Sequence, residues 1–191
     1  MFLVVGLGNP GSEYANTRHN VGFMAADAIC SRYKFDIYKK KFDGEVAIGQ
    51  IANEKVIVLK PHTYMNLSGN AVVKAALFYK ILPENIIVIH DDMDLKSGQL
   101  KAKRGGGAGG HNGLKSIDAH ITSNYNRIRI GVGHPANKGN DVINYVLGSF
   151  SKEEKKLLEA SLDTVTEAVE VLIRNDIAAC SNFLGMSVKN K

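Results

Sequence analysis

The sequence has few of the residues that mark special classes of protein. Its 191 residues include no tryptophan, four prolines and two cysteines. Cys30 and Cys180 lie far apart and neither belongs to a C-x-x-C pair, which argues against a cysteine-based zinc site. No apolar run approaches the roughly 20 residues that a membrane-spanning helix needs. The amino-terminal segment also lacks the basic lead and cleavage site of a signal peptide, so we expect a cytoplasmic protein without membrane association.

Glycine and basic residues are, by contrast, abundant. The chain contains 19 glycines, and its 24 lysines and arginines exceed 19 acidic residues to give a net charge of +5. This charge favours a polyanionic partner such as nucleic acid, although an ordinary basic surface would give the same composition. The length and a hydrophobic content of 45% suit one domain spanning residues 1–191. We expect residues 185–191 to form a loose tail.

Short apolar runs alternate with helical patterns along the chain. Residues 2–7 and 86–90 are continuous apolar runs typical of buried strands, and the spacing predicts further strands over residues 45–52, 55–60 and 127–133. Helical spacing and capping residues predict helices from Asn20 to about Tyr33, from near Asn66 and Ser68 to before Pro83, over 114–122 and 151–174, and from Asp176 to about Leu184. This order predicts an α/β fold, in which a mixed, largely parallel twisted sheet is flanked by helices.

The first strand leads into a glycine motif that has two interpretations. Gly6, Gly8 and Gly11 satisfy the G-x-G-x-x-G pattern of dinucleotide-binding folds. That motif needs its helix to open at the glycines, whereas here Pro10 and a polar stretch over residues 12–19 come first. The glycines therefore favour a sharply turning loop at the carboxyl end of a strand, which is where open α/β sheets bind ligands.

A histidine and an aspartate follow the two most apolar strands. His19 ends the loop after the first strand, and Asp91 follows His90 at the end of the second. If these strands are parallel neighbours, His19 and an aspartate of this segment meet at one edge of the sheet. A carboxylate that orients an imidazole makes it a competent general base near neutral pH. No G-x-S-x-G motif supplies a nucleophilic serine, so the pair would activate water directly; the alternative is a solvated histidine beside a turn carboxylate.

The acidic cluster after the second strand also invites a metal-binding interpretation. Asp91, Asp92 and Asp94 could offer oxygen ligands to Mg²⁺. A turn signature follows directly, however, and the spacing of a calcium-binding loop is absent. We therefore expect no metal and no other cofactor.

Two amides and a glycine run complete the set of candidate residues. Asn66 and Asn112 lie at predicted loop ends, where an amide can orient a carbonyl or donate to an oxyanion, or simply cap a helix. The glycine run over residues 105–110 follows Lys103 and Arg104. Backbone N–H groups beside such cations can cradle a phosphate, although the run could also be merely flexible.

Four segments together resemble one known family. They are GLGNPGSEYANTRHNVGF (6–23), KPHTYMNLSG (60–69), HDDMDLKSGQLKAKRGGGAGGHNGLKSI (90–117) and RIRIGVGHP (127–135). The match is collinear, covers nearly the whole chain and is similar to bacterial-type peptidyl-tRNA hydrolase. The resemblance implies a monomeric α/β enzyme without cofactor that hydrolyses the ester joining a peptide to the 3′-terminal ribose of tRNA. A non-catalytic tRNA-binding or RNA-binding module remains the alternative, since it would explain the charge and the glycine run but not the histidine and aspartate.

The resemblance also implies a role for individual residues. His19 corresponds to the catalytic base, Asp91 to its carboxylate partner, and Asn9 to an amide linked with distinguishing blocked from free amino ends. The remaining matches are to active-site amides (Asn66 and Asn112), substrate contacts (Tyr14, Tyr64 and Met65), an auxiliary histidine (His111) and cations that contact tRNA phosphate (Lys103 and Arg129).

Overall fold

The computed structural model describes residues 1–136 and 141–189. Within them, seven strands form one sheet in the order β2-β3-β4-β1-β5-β7-β6. Their bounds are β1 Phe2–Gly6, β2 Lys39–Lys41, β3 Gly44–Ile51, β4 Glu54–Pro61, β5 Ile86–Asp92, β6 Leu100–Arg104 and β7 Asn126–Gly131. The four central strands, β4, β1, β5 and β7, run parallel, whereas β2, β3 and β6 are antiparallel to their neighbours. The predicted mixed, largely parallel sheet is confirmed.

Helices cover both faces of this sheet. They are α1 Val21–Arg32, α2 Ser68–Tyr79, α3 Asn112–His120, α4 Val142–Val146, α5 Lys152–Arg174 and α6 Ile177–Lys189. Alternate residues of β1 divide between two hydrophobic clusters: Val4 packs with residues of α1, α5 and α6, and Leu3 and Val5 pack with residues of α2 and α3. The apolar runs therefore become central strands because helices bury both of their faces. None of the described helices is long and apolar enough to cross a membrane.

The glycine motif after β1 serves the packing of α1. A Cβ atom on Gly6 would lie 2.2 Å from the carbonyl oxygen of Gly22, and one on Gly22 would lie 2.5 Å from the carbonyl oxygen of Ile89. The first turn of α1 thus rests directly on the backbone of β1 and β5. The helix begins only at Val21, ten residues after Gly11, so its N-terminus does not open at the glycines as a pyrophosphate site requires.

Three elements and one terminus differ from the sequence predictions. Strands β2 and β6 and helix α4 were not predicted. The loose tail is wrong for residues 185–189, which continue α6, while residues 190 and 191 lie outside the described residues. Helix α6 is anchored because Cys180 and Leu184 are buried against the core. Residues 137–140 also lie outside the described residues.

Candidate active site

A cleft of about 540 Å³ opens at the carboxyl ends of the parallel strands. Its centre is lined by Asn9 from the loop after β1, by Asp91 at the end of β5, and by His19 and His111. Strands β1 and β5 are parallel neighbours, which is the arrangement that the prediction of a His19–Asp91 pair required. The segment between β4 and α2, the glycine run and α4 form the walls.

Two imidazoles bracket one carboxylate at the centre of the cleft. The Nδ1 atom of His19 lies 2.8 Å from Oδ2 of Asp91, and the Nε2 atom of His111 lies 2.8 Å from Oδ1. Asp91 is only 3% exposed. Burial alone would raise the pKa of Asp91, but the nearby imidazoles of His111 and His19 lower this pKa well below its usual range. Asp91 is therefore an ionised carboxylate that accepts from both rings.

The surroundings assign the tautomer of each ring. Nδ1 of His111 accepts hydrogen bonds from the backbone N–H groups of Gly113 at 3.1 Å and Leu114 at 3.4 Å, so this histidine caps α3. Its proton must then sit on Nε2, from which it donates to Asp91. His19 donates to the same carboxylate from Nδ1, which leaves the lone pair on Nε2. Since His19 lines the cleft, it offers a proton acceptor there, while His111 does not.

A third histidine lies beneath this cluster. His90 is 3% exposed, its Nδ1 atom lies 2.8 Å from the carbonyl oxygen of Asp91, and its Nε2 atom has no hydrogen-bond partner among the described residues. Burial, aided by the neighbouring His111, lowers the pKa of His90 to about 3. His90 is therefore neutral at neutral pH, and the ring donates to the backbone at the residue that anchors the cluster.

Asn9 is held from two sides by hydrogen bonds. Its Oδ1 atom accepts from the backbone N–H of Met65 at 2.7 Å. Its own backbone N–H donates to Oδ1 of Asn20 at 2.8 Å, and Nδ2 of Asn20 donates back to its carbonyl oxygen at 3.0 Å. The prediction that Asn20 caps α1 is wrong, because its side chain is used to clamp Asn9 instead. With Oδ1 engaged, the amide of Asn9 presents its NH₂ group to the cleft.

The segment after β4 brings three predicted residues to one wall. Tyr64 lies with a φ of 61° and is 53% exposed, Met65 is buried, and Asn66 is exposed and lines the cleft. Neither Asn66 nor Ser68 caps α2 through its side chain. Tyr14 differs from the others, since it lies in the turn before Thr17 and not among the residues that line the cleft.

The opposite wall carries the predicted cations. Lys103 and Arg129 both line the cleft, and Asn112 lies there as the first residue of α3. Arg129 donates from Nε to Oδ2 of Asp92 at 2.7 Å, whereas Lys103 has no acidic partner within 4.0 Å among the described residues. The other oxygen of Asp92 accepts from the backbone N–H of Asp94 at 2.8 Å, so Asp92 is engaged in local contacts rather than converging with Asp91 on a metal.

The residues at the centre are spaced as in a metal site, but they are hydrogen bonded to one another. The ligand atoms of His19, Asp91 and His111 all lie within 4.8 Å of one another. Both oxygens of Asp91 already accept from ring nitrogens at direct hydrogen-bond distance. An ion there would have to replace both hydrogen bonds, so the residues do not fit a metal in this arrangement.

Sequence reasoning missed the apolar wall formed by α4. Val142 and Ile143 are exposed and line the cleft together with Val146 and Leu147. Arg18 ties this wall to the turn that carries His19: it donates to the carbonyl of Tyr145 at 3.1 Å, and its guanidinium lies 4.2 Å from the centre of the Tyr145 ring. The guanidinium of Arg18 also donates to both carboxylate oxygens of Glu154. The one sequence signal for this role of Arg18 is that it directly precedes His19.

The chain is similar to known proteins over its whole length. A family model described as peptidyl-tRNA hydrolase matches residues 3–191. The chain is 54% identical over 192 residues to a peptidyl-tRNA hydrolase of Clostridium botulinum, covering 100% of this chain and 99% of the relative. It is 50% identical to one of Chelativorans, covering 100% and 80%. The crystal structure of peptidyl-tRNA hydrolase from Acinetobacter baumannii superimposes with a TM-score of 0.92 at 41% identity, covering 96% of this chain and 94% of that one. On sequence and fold, the chain belongs to the peptidyl-tRNA hydrolase family.

Proposed function

We propose that this chain hydrolyses the ester bond between a peptide and the 3′-terminal ribose of tRNA, and that His19 activates the attacking water. The observation that carries the proposal is the orientation of His19: Asp91 holds Nδ1 at 2.8 Å and leaves the Nε2 lone pair to the cleft. The family model and the relatives support the substrate. We further propose that the enzyme acts in the cytoplasm as a monomer and needs no cofactor.

The reaction follows from the protonation states of the cluster. His19 takes a proton from water at Nε2 while the water oxygen bonds to the ester carbonyl carbon, giving a tetrahedral oxyanion. Asp91 stabilises the imidazolium that forms. When the carbon–oxygen bond to the ribose breaks, the leaving 3′ oxygen takes up the proton from His19, and the peptide leaves with a new carboxyl group. General-base catalysis of this kind contributes about 10²–10⁴ to the rate.

Three amides around the cleft are candidates for donating to the oxyanion. Asn9, Asn66 and Asn112 all line the cleft, and one such donor contributes about 10²–10³ to the rate of an acyl transfer. Of the three, Asn9 has an orientation fixed by the protein, because Met65 engages its oxygen.

The same orientation of Asn9 supports a role in selectivity. An NH₂ group donates to the carbonyl oxygen of a peptide or of a blocked amino end. It offers no acceptor to a free ammonium group, which would lose part of its hydration beside Asn9 without gaining a hydrogen bond from that residue. We propose that Asn9 thereby disfavours aminoacyl-tRNA whose amino group is unblocked.

Substrate binding is assigned to the two walls. Tyr64, Met65 and Asn66 on one side and His111 and Asn112 on the other would contact the acyl group and terminal nucleotide, and Lys103 and Arg129 would contact tRNA phosphate. Tyr14 would act from outside the cleft, on a more distant part of the substrate.

The test is the release of tRNA from an N-blocked aminoacyl-tRNA, measured with and without a chelator. We expect the His19→Ala variant to lose about 10²–10⁴ in kcat with little change in binding. His134→Ala is the matched control, since His134 is exposed and its one hydrogen bond among the described residues is to the neighbouring Pro135. A wild-type chain that binds tRNA without turnover would instead support an RNA-binding module.

A further inference from the structure

The glycine run over residues 105–110 is tied down from below by a buried arginine. The side chain of Arg127 is 0% exposed. Its Nη1 atom donates to the carbonyl oxygen of Gly107 at 2.8 Å, and Nη2 donates to that of Gly106 at 3.0 Å. The ends of the run are anchored as well: Gly105 donates from its backbone to Tyr125 at 3.0 Å, and the backbone N–H of His111 donates to Ala108 at 3.0 Å. The run is therefore a shaped loop with a defined inner side.

Arg127 is itself firmly held. Its Nη2 atom also donates to Oδ1 of Asp118 at 3.4 Å and to the carbonyl of Ser123 at 3.3 Å. The guanidinium lies 4.7 Å from the centre of the Tyr125 ring, and the hydroxyl of Tyr125 donates to the same Asp118 oxygen at 2.7 Å. A charged group buried without partners would be strongly unfavourable, so these acceptors fix the guanidinium and, through it, the loop.

The carbonyl positions determine where the neighbouring N–H groups point. The C=O and N–H of a trans peptide point in opposite directions. With the carbonyls of Gly106 and Gly107 turned down to Arg127, the N–H groups of Gly107 and Ala108 point away from it. None of the N–H groups of residues 106–110 donates to a described residue. Cβ atoms added to Gly107, Gly109 and Gly110 would meet nothing within 4 Å, so there is open space beside these three residues.

A free cation stands beside these donors. Lys103 is paired with Arg127 across β6 and β7, so both side chains lie on one face of the sheet. The Nζ atom of Lys103 would lie 2.8 Å from a Cβ atom on Gly106. Successive N–H groups in a turning backbone form a concave anion site, and an adjacent ammonium strengthens it.

We propose that Arg127 is a positioning residue that shapes the glycine run into a backbone anion site for a phosphate group of the bound tRNA. Arg127 reaches the substrate only through the carbonyls that it holds. The inference rests on the proposed function, since it assigns the phosphate to that substrate. It extends the proposed function because it assigns phosphate binding to backbone N–H groups. The placement of these N–H groups depends on a buried side chain, not on an exposed one.

The kinetic test compares a full peptidyl-tRNA with an N-blocked aminoacyl ester of adenosine, which has no phosphate. Arg127→Lys keeps the charge but cannot reach both carbonyls at once. We expect KM for peptidyl-tRNA to rise about threefold to tenfold with kcat unchanged, and the slope of log K against log salt to fall by about 0.7–0.9. Kinetics on the short ester should not change. Arg32→Lys is the control, because Arg32 is an exposed arginine that bonds Thr166 and Glu167 on α5.

Equal damage on both substrates, or no change on either, would overturn the proposal, since a purely structural arginine affects both alike. If Arg127→Lys does not fold, the wild-type enzyme is titrated with inorganic phosphate while its backbone amide resonances are followed. We expect the resonances of residues 106–110 to shift and saturate, and their failure to respond would overturn the proposal. Shifts without any turnover of peptidyl-tRNA would contradict the proposed function while leaving the anion site standing.

Discussion

The centre and the rim of the cleft are built in opposite ways. At the centre, His19, Asp91, His111 and Asn9 are held by short hydrogen bonds that fix a ring tautomer or an amide orientation. At the rim, the side chains of Lys103, Asn66 and Asn112 make no hydrogen bond to the described residues. The central groups are thus oriented before any substrate binds, whereas these rim groups are not engaged with the described residues. We therefore expect changes at the centre to alter kcat or selectivity, and loss of the rim cation Lys103 to alter KM.

The sharpest test of the centre replaces Asp91 by asparagine. An asparagine has one accepting oxygen for two rings, and His111 must keep its Nε2 donor because α3 occupies its Nδ1. The NH₂ group of the new residue would then face His19 and move its proton to Nε2, which removes the base. We expect Asp91→Asn to lower kcat by about 10²–10⁴, which is the factor that general-base catalysis contributes. Near-normal turnover would show that the tautomers are not set as described.

A second test at the centre concerns selectivity. Asn9→Asp can still accept from Met65 but presents a carboxylate oxygen where the NH₂ group was. A free ammonium would gain a charge-assisted hydrogen bond of about 1.5–3 kcal/mol, so the preference for blocked over unblocked aminoacyl-tRNA should fall about 10- to 100-fold. The ratio of the two kcat/KM values measures this change. Asn16→Asp on the exposed part of the same loop is the control, and an unchanged ratio in Asn9→Asp would contradict the role.

We expect His90, which is neutral and lies beneath the centre, to change how the stability of the protein depends on pH. The pKa of His90 is lowered from 6.5 to about 3 in the folded protein. Below pH 6.5 this imidazole is therefore protonated in the unfolded chain while it is still neutral in the folded protein. Stability is therefore lost as pH falls through this window, by about 2 kcal/mol between pH 7 and pH 5 for this group.

Urea unfolding at both pH values checks this expectation. His90→Gln should lose about 2 kcal/mol less than the wild type between pH 7 and pH 5. His134→Gln, at an exposed position, should lose as much as the wild type. Identical losses in all three proteins would show that His90 does not resist protonation.

The smallest expected effect lies at the rim. Lys103→Ala removes a cation that has no acidic partner within 4.0 Å among the described residues, so folding should not change. KM should rise a few-fold with kcat nearly constant, and the slope of log K against log salt should fall by about 0.7–0.9 for one lost phosphate contact. Lys156→Ala on α5 is the control. An unchanged salt slope and KM would mean that Lys103 is merely solvated.

The sequence predicted the elements whose residues have one dominant environment. Strand β1 and residues 86–89 of β5 are apolar, and Ser151 with Glu154 forms a capping box at the start of α5. Strand β6 was missed because an edge strand with one buried, two intermediate and two exposed positions has the sequence pattern of a polar loop. Helix α4 is only five residues long, too short for helical spacing to appear.

The site was predictable where strand order alone sufficed. His19 and Asp91 follow two parallel neighbours, so their meeting needed only that adjacency. The second imidazole on Asp91 was not predictable, because His111 approaches from the end of a glycine run whose path no sequence pattern indicates. The hydrogen bonds between Asn20 and Asn9 were not predictable either, because an asparagine before a helix normally caps that helix.

The anchoring of Arg18 also makes the turn that carries His19 dependent on the C-terminal part of the chain. The turn that carries His19 is fixed by the Thr17–Ser149 bridge, the hydrogen bond from Arg18 to Gly148 and the two bonds from Arg18 to Glu154. These contacts join chain segments about 130 residues apart. A chain that ends before Gly148 would therefore keep His19 and Asp91 but lose all of these contacts to the turn.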